Sequence, residues 1–151
     1  MAIFEDTFED LPLDEDIDKL VLQREGFYLI LPADARHLVE KISDPTGNKI
    51  VGRSGSHSLE YCTFSFHAPT KEPGKRMQKL SASITSNSRD SAKIEAWSVN
   101  GERHEKEFTG TIDYEFAPLF SGISHIKVTV PVNADNLSDY WLQSVKTEYE
   151  D

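Results

Sequence analysis

The stretch that decides the fold reads Leu80-Ser81-Ala82-Ser83-Ile84-Thr85-Ser86-Asn87-Ser88-Arg89-Asp90-Ser91-Ala92-Lys93-Ile94-Glu95-Ala96-Trp97-Ser98-Val99-Asn100-Gly101-Glu102-Arg103. Leu80, Ala82 and Ile84 alternate with polar residues, and so do Ala92, Ile94 and Ala96. A period of two puts the apolar side chains of each run on one face of a strand. Residues 87–90 between them are polar and read as a loop. Asn100-Gly101 is a strong short hairpin signal, because both residues tolerate the positive φ of a type I′ turn. With residues 103–108 as a third strand, 80–108 is predicted to be a three-stranded antiparallel meander.

The same pattern recurs on either side. Cys62, Phe64 and Phe66 share one face of a strand over 59–67, with Tyr61, Thr63 and Ser65 on the other. Ile112, Tyr114 and Phe116 are in phase, and Ile126, Val128 and Val130 give the cleanest alternation, with His125, Lys127 and Thr129 outward. The last strand, 140–149, changes apolar parity between Leu142 and Val145, which predicts a bulge at Gln143-Ser144. Shorter apolar runs cover 20–22 and 27–31, and Ile50 and Val51 sit in a strand over 48–53. Residues 34–42 read either as a short helix capped by Asp34 or as a strand running into the turn 44–47. Residues 53–58, 68–79 and 133–139 read as loops. The sum is an all-β chain: an antiparallel, jelly-roll-like β-sandwich of eight to ten short strands with at most one short helix.

Composition agrees with one packed domain. The 151 residues include eight Phe, five Tyr and two Trp, enough aromatic material for a sandwich core. The net charge of −10 is uneven: eight of the 26 acidic residues fall in the first 18 positions, where no Lys or Arg occurs. Residues 1–19 are therefore an acidic N-terminal segment, either part of the same domain or partly disordered, and 20–151 a single sandwich domain. Within the segment, Phe4 and Phe8 are expected to dock on the core. The rest of the chain is nearly neutral, which argues against nucleic acid and against an anionic membrane as partners. Cys62 is the single cysteine, so no internal disulfide forms. No signal peptide or membrane-spanning run is visible, consistent with a cytoplasmic protein or a mature secreted form.

The ends of the chain carry a resemblance. The opening Phe4-Glu5-Asp6-Thr7-Phe8-Glu9, the closing Tyr140-Trp141-Leu142-Gln143-Ser144-Val145 and the hairpin region 92–102 resemble the carbohydrate-binding-module and galactose-binding-like jelly rolls. That resemblance implies two sheets, adjacent termini, a non-catalytic role in ligand recognition and a structural calcium near the first strand.

Candidate residues follow from strand parity. With Ile94 and Ala96 inward, Trp97 lies on the outer face with Lys93 and Glu95. An exposed Trp among charged groups suits stacking on a sugar ring. Arg53, Tyr61 and Lys127 are outward too, so the six residues Trp97, Tyr61, Arg53, Lys93, Glu95 and Lys127 form the candidate ligand-binding set on one sheet. A buried Trp97 is the competing reading. Of the neighbours Tyr140 and Trp141, one faces in and the other is a second stacking candidate. Asp14, Asp16 and Asp18 have the spacing of oxygen ligands for calcium, but Lys19 stands where a calcium loop needs Gly; a solvated acidic loop is the alternative.

Catalytic constellations are weak. Gly52-Arg53-Ser54-Gly55 is one residue short of a nucleophile elbow. Cys62 is in phase with core phenylalanines. The five histidines show no metal-binding spacing. The expected function is a non-catalytic domain that binds carbohydrate through an exposed sheet face. The alternative is a protein-interaction or assembly subunit that uses a sheet face or the acidic N-terminus.

Overall fold

A computed structural model describes residues 2–32, 35–43, 46–53, 61–68, 76–119, 121–132 and 138–150, without the side chains of 43 and 46. Among the described residues there are twelve strands and no helix. They are β1 (Ala2–Asp6), β2 (Val21–Gln23), β3 (Tyr28–Ile30), β4 (Arg36–Ser43), β5 (Thr46–Arg53) and β6 (Tyr61–His67). Then follow β7 (Met77–Ser86), β8 (Ala92–Ser98), β9 (Arg103–Phe108), β10 (Thr111–Phe116), β11 (Ile123–Pro131) and β12 (Tyr140–Tyr149). They form a jelly-roll-like sandwich of two antiparallel six-stranded sheets. The first has the order β10-β7-β12-β5-β4, with β1 also paired to β12; the second runs β2-β3-β6-β11-β8-β9.

The expected meander is not formed. β7 belongs to the first sheet, whereas β8 and β9 belong to the second. The polar loop 87–91 therefore crosses the sandwich instead of turning within a sheet. Alternation in β7 and in β8 marks an inward face in each, and either sheet can present such a face to the same core. Only the β8–β9 hairpin survives from the prediction, and its turn differs. Gly101 N–H donates to Ser98 O at 3.1 Å, and Gly101 alone takes positive φ, at 86°. The connection is thus a turn centred on Val99-Asn100 with a left-handed Gly behind it, the usual three-residue hairpin loop. Residues 36–43 form strand β4, not a helix, and Asp34 lies outside the described residues. β7 begins at Met77, inside what reads as a loop; most of the predicted loops 53–58 and 133–139 falls outside the described residues.

β12 organises the first sheet. The predicted bulge is present between Leu142 and Ser144. It resets parity, so that Tyr140 and Leu142 before it and Val145 and Tyr149 after it all face the core. On one side β12 pairs with β7 throughout; on the other, β5 takes its first three residues and β1 its last five.

The core lies between the sheets. Phe64, Phe66, Ile94, Ala96, Ile126 and Val128 come from the second sheet and meet Leu80, Ile84, Ile50, Leu142 and Tyr140 from the first. Each large apolar side chain buried there contributes about 1.5–3 kcal/mol. Tyr140 crosses the interface and stacks on Phe64, ring centroids 4.3 Å apart. The acidic N-terminal segment is part of this packing. Phe8 is fully buried, and Phe4 sits edge-on to Tyr149. Arg24 holds the segment down: its Nε and Nη2 donate to the two oxygens of Asp6 at 2.6 and 3.0 Å, and Nη2 also donates to Asp10 at 2.5 Å.

Candidate functional site

The outer face of the second sheet carries a row of side chains in strict register. Gln23 pairs with Tyr28, Tyr28 with His67, His67 with His125, His125 with Trp97, and Trp97 with Arg103. Each residue is one strand further across, so the row crosses all six strands, about 24 Å at the usual strand spacing. The four rings are nearly parallel. Tyr28 and His67 have centroids 5.0 Å apart, His67 and His125 5.7 Å, and His125 and Trp97 4.5 Å, with interplanar angles of 12°, 11° and 17°. The spacings follow the strand spacing, because directly opposed side chains on one face of a sheet are held at that distance. Arg103 closes the row, its guanidinium carbon 5.6 Å from the Trp97 centroid.

Trp97 is therefore not an open platform. It is half-buried, with His125 on one neighbouring strand and Arg103 on the other, and the row presents ring edges and polar atoms outward. Those atoms are oriented locally. Ser65 Oγ lies 2.8 Å from His67 Nε2, and Ser124 Oγ lies 3.1 Å from His125 Nδ1. Burial, followed by the charge of His125, holds the His67 imidazole below its ordinary pKa.

The next rows toward the other end of these strands are charged. Lys127 pairs with Ser65 and with Glu95, and Glu95 with Glu105; Lys93 pairs with Thr129 and Glu107. Arg103 donates to Glu95 at 2.6 Å and Lys93 contacts Glu105 at 2.8 Å. The hydrogen bond from Arg103, with the nearby charges of Lys93, Arg103 and Lys127, lowers the pKa of Glu95; that of Glu105 is lowered by Lys93. Among the described residues Lys127 has no ion-pair partner within salt-bridge distance, although its charge is felt at Glu95.

Lys93, Glu95, Trp97 and Lys127 thus share the face that parity assigns to them. Tyr61 shares the face but pairs with Pro131 at the far end of β6, six residues or about 20 Å from His67. Arg53 does not share it. It lies on β5, in the first sheet, and its guanidinium pairs with Glu40. An outward residue of one sheet is back-to-back with an outward residue of the other, so parity alone cannot gather them. Of the second stacking pair, Tyr140 is in the core and Trp141 is on the outer face of the first sheet, where the Lys49 ammonium lies 5.2 Å from its ring. Tyr28, His67 and Arg103 were missed by the sequence reading; the alternation of 62–66 makes His67 outward, but the unbroken apolar run 27–31 and the polar run 103–107 hide the parity of the other two, and no sequence signal gives the register that aligns them.

The chain is similar in arrangement to carbohydrate-binding modules of known structure. One is the low-affinity xylan-binding module CBM86 from Roseburia intestinalis, at 11% identity and a TM-score of 0.43, covering 99% of this chain and 97% of that one. Another is the CBM1 of BiXyn10A in its apo form, at 12% identity and a TM-score of 0.40, covering 91% and 99%. A third is the family 11 module of the cellulosomal cellulase Lic26A-Cel5E of Clostridium thermocellum, at 15% identity and a TM-score of 0.39, covering 97% and 95%. No family model matches the chain, and no curated protein matches it.

The three aspartates of the acidic segment lie at or near the edge of β4. Asp16 forms a bridge with Leu38 at the edge of β4 and accepts from Arg36 Nε at 2.6 Å. The Asp14 N–H donates to Val39 O at 2.8 Å, and Asp18 is exposed. Among the described residues no group of three His, Cys, Asp or Glu side chains gathers as metal ligands do. Cys62 is buried among core residues, which suits an inert thiol.

Proposed function

We propose that this is a non-catalytic carbohydrate-binding domain whose ligand lies across the outer face of the second sheet. The observation that carries the reading is the in-register row Tyr28–His67–His125–Trp97, ended by Gln23 and Arg103. A sugar chain presents alternating C–H and O–H groups. Polar aromatics offer it apolar rims beside hydrogen-bonding atoms, and their two-torsion side chains lose little entropy on binding. Arg103 and Gln23 at the ends, with Ser65 and Glu95 one row away, supply further polar contacts. Arg103, exposed and bonded to Glu95, lies over one face of Trp97, so the sugar meets the ring edges of the row and the guanidinium at its end.

The test is a glycan array on the folded domain beside Trp97→Ala and Arg53→Ala. The proposal expects a related set of glycans to bind, binding to be lost in Trp97→Ala, and Arg53→Ala on the opposite sheet to bind normally. Glycan binding that survives Trp97→Ala and disappears in Arg53→Ala places the site on the other sheet. No glycan bound by folded protein overturns the reading.

A further inference from the structure

The charge distribution around the aromatic row carries a statement about the class of glycan. His67 and His125 are opposed directly across β6 and β11, and their parallel rings sit between Tyr28 and Trp97. The charged groups near them can be read off each packed strand. β3 contributes the Tyr28 hydroxyl and β2 Gln23, both neutral. β6 contributes Ser65, and β11 Lys127, one row away. β8 contributes Glu95 and β9 Arg103, Glu105 and Glu107.

Among the described residues, the carboxylates on this face nearest the imidazoles are occupied. Glu95 is bonded to Arg103, and Glu105 contacts Lys93 and Arg103. Glu107 lies two rows away on the edge strand, opposite Lys93. Lys127 is the cation near the pair that no carboxylate claims among the described residues. A patch built from two imidazoles, an ammonium with no ion pair among the described residues and two hydroxyl groups is complementary to an anion held on the sheet. Protonation adds positive charge to it, against a chain that is otherwise acidic.

The geometry points to a carboxylate-bearing glycan, held by His67, His125 and Lys127, whose affinity rises as the pH falls through the imidazole range. This inference rests on the carbohydrate-binding reading. It adds the chemical class of the ligand and a proton dependence.

The probe is polygalacturonate, compared with its fully methyl-esterified form, each titrated against the whole chain at about pH 8 and about pH 5. Uronate carboxylates stay largely ionised over that range. The acid polymer is expected to bind several-fold tighter at the lower pH. The ester is expected to bind more weakly and with no pH dependence. His67→Gln combined with His125→Gln is expected to give the same affinity for the acid polymer at both pH values. Lys127→Gln is expected to weaken binding at both and keep the ratio between them. Equal affinity for acid and ester, equal affinity at the two pH values, or a ratio that survives the double variant overturns the inference. Failure to bind either polymer, with neutral glycans still bound on the array, overturns it and leaves the carbohydrate reading intact. Failure to bind any glycan overturns both.

Discussion

The hydroxyl of Tyr140 lies 2.5 Å from Nε2 of His37, and both side chains are sealed from solvent. On the other side of the imidazole, Nδ1 is 3.2 Å from the Ala35 carbonyl and donates to it. That leaves Nε2 as the acceptor, so the tyrosine donates and the ring is neutral. A second proton on Nε2 would reverse the bond to Tyr140, displace the hydroxyl hydrogen and bury a positive charge.

Burial pushes the His37 pKa down to about 4, against the opposing effects of the Ala35 carbonyl and Asp139. In the unfolded chain the same group titrates near 6.5. The unfolded state therefore binds more protons in the window between these values. The stability that rests on neutral His37 is complete above about pH 6.5 and is lost as the pH falls toward about 4, to a total of about 3 kcal/mol. Urea melts across this range are expected to show that slope, and His37→Gln is expected to flatten it. An unchanged slope in the variant would assign the acid sensitivity to other groups. Tyr140→Phe leaves the acceptor unsatisfied and is expected to cost about 1–3 kcal/mol at neutral pH.

Two glycines separate steric from conformational effects. A Cβ on Gly52 would overlap the ring of Tyr140, which is itself fully buried and stacked on Phe64. Gly52→Ala is expected to cost roughly 3 kcal/mol or more, since neither the ring nor the strand can move aside. A Cβ on Gly101 meets open space, but its φ of 86° is unfavourable for other residues. Gly101→Ala is expected to cost only about 1 kcal/mol. Equal losses in thermal melts would show that Tyr140 relaxes.

Arg24 clamps the N-terminal segment. Its side chain and that of Asp6 are 12% and 16% exposed, and Asp6 also accepts from the Phe8 N–H at 2.9 Å. That bond holds Phe8 at a φ of 61°, a left-handed conformation that disfavours a bulky residue. Arg24→Met is expected to destabilise by about 2–4 kcal/mol, because it strands a poorly solvated carboxylate. Arg24→Met with Asp6→Asn is expected to recover part of the loss. Hydrogen exchange in β1 reads the local effect: protection there should fall before that of β7 or β11.

Trp97 is covered by Arg103 on the side away from His125. Arg103→Ala is expected to increase quenching of tryptophan fluorescence by a neutral quencher, with Trp141→Phe as background to isolate the signal. Global stability should fall modestly, because Arg103 is exposed but its partner Glu95 is only 14% exposed and loses a hydrogen bond. Unchanged quenching would mean that the loops, not Arg103, cover the ring.

Much of the architecture was legible because a sheet buried on one face must alternate. Cys62-Phe64-Phe66, Ile126-Val128-Val130 and Ile112-Tyr114-Phe116 each assign a strand and its inward side with no tertiary information. The bulge in β12 was visible for the same reason: parity changed between Leu142 and Val145, and an extra residue is the way a strand keeps one face buried across such a change. The 34–42 region stayed open because its apolar spacing suits either period, and pairing with β5 settled residues 36–42 as a strand.

The sequence by itself determined which side chains of each strand face the core, and that Trp97, Lys93, Glu95 and Lys127 face away from it. It did not determine which sheet a strand joins, since both sheets bury their apolar residues in one shared interior. Hence Arg53 and Trp97, both outward, lie on opposite sides of the molecule, and β7 and β8, adjacent in sequence, are in different sheets. Nor did it determine register. A strand slides past its neighbour in steps of two residues without turning a side chain inward, so only the pairing of the whole sheet brings Tyr28, His67, His125 and Trp97 into one line.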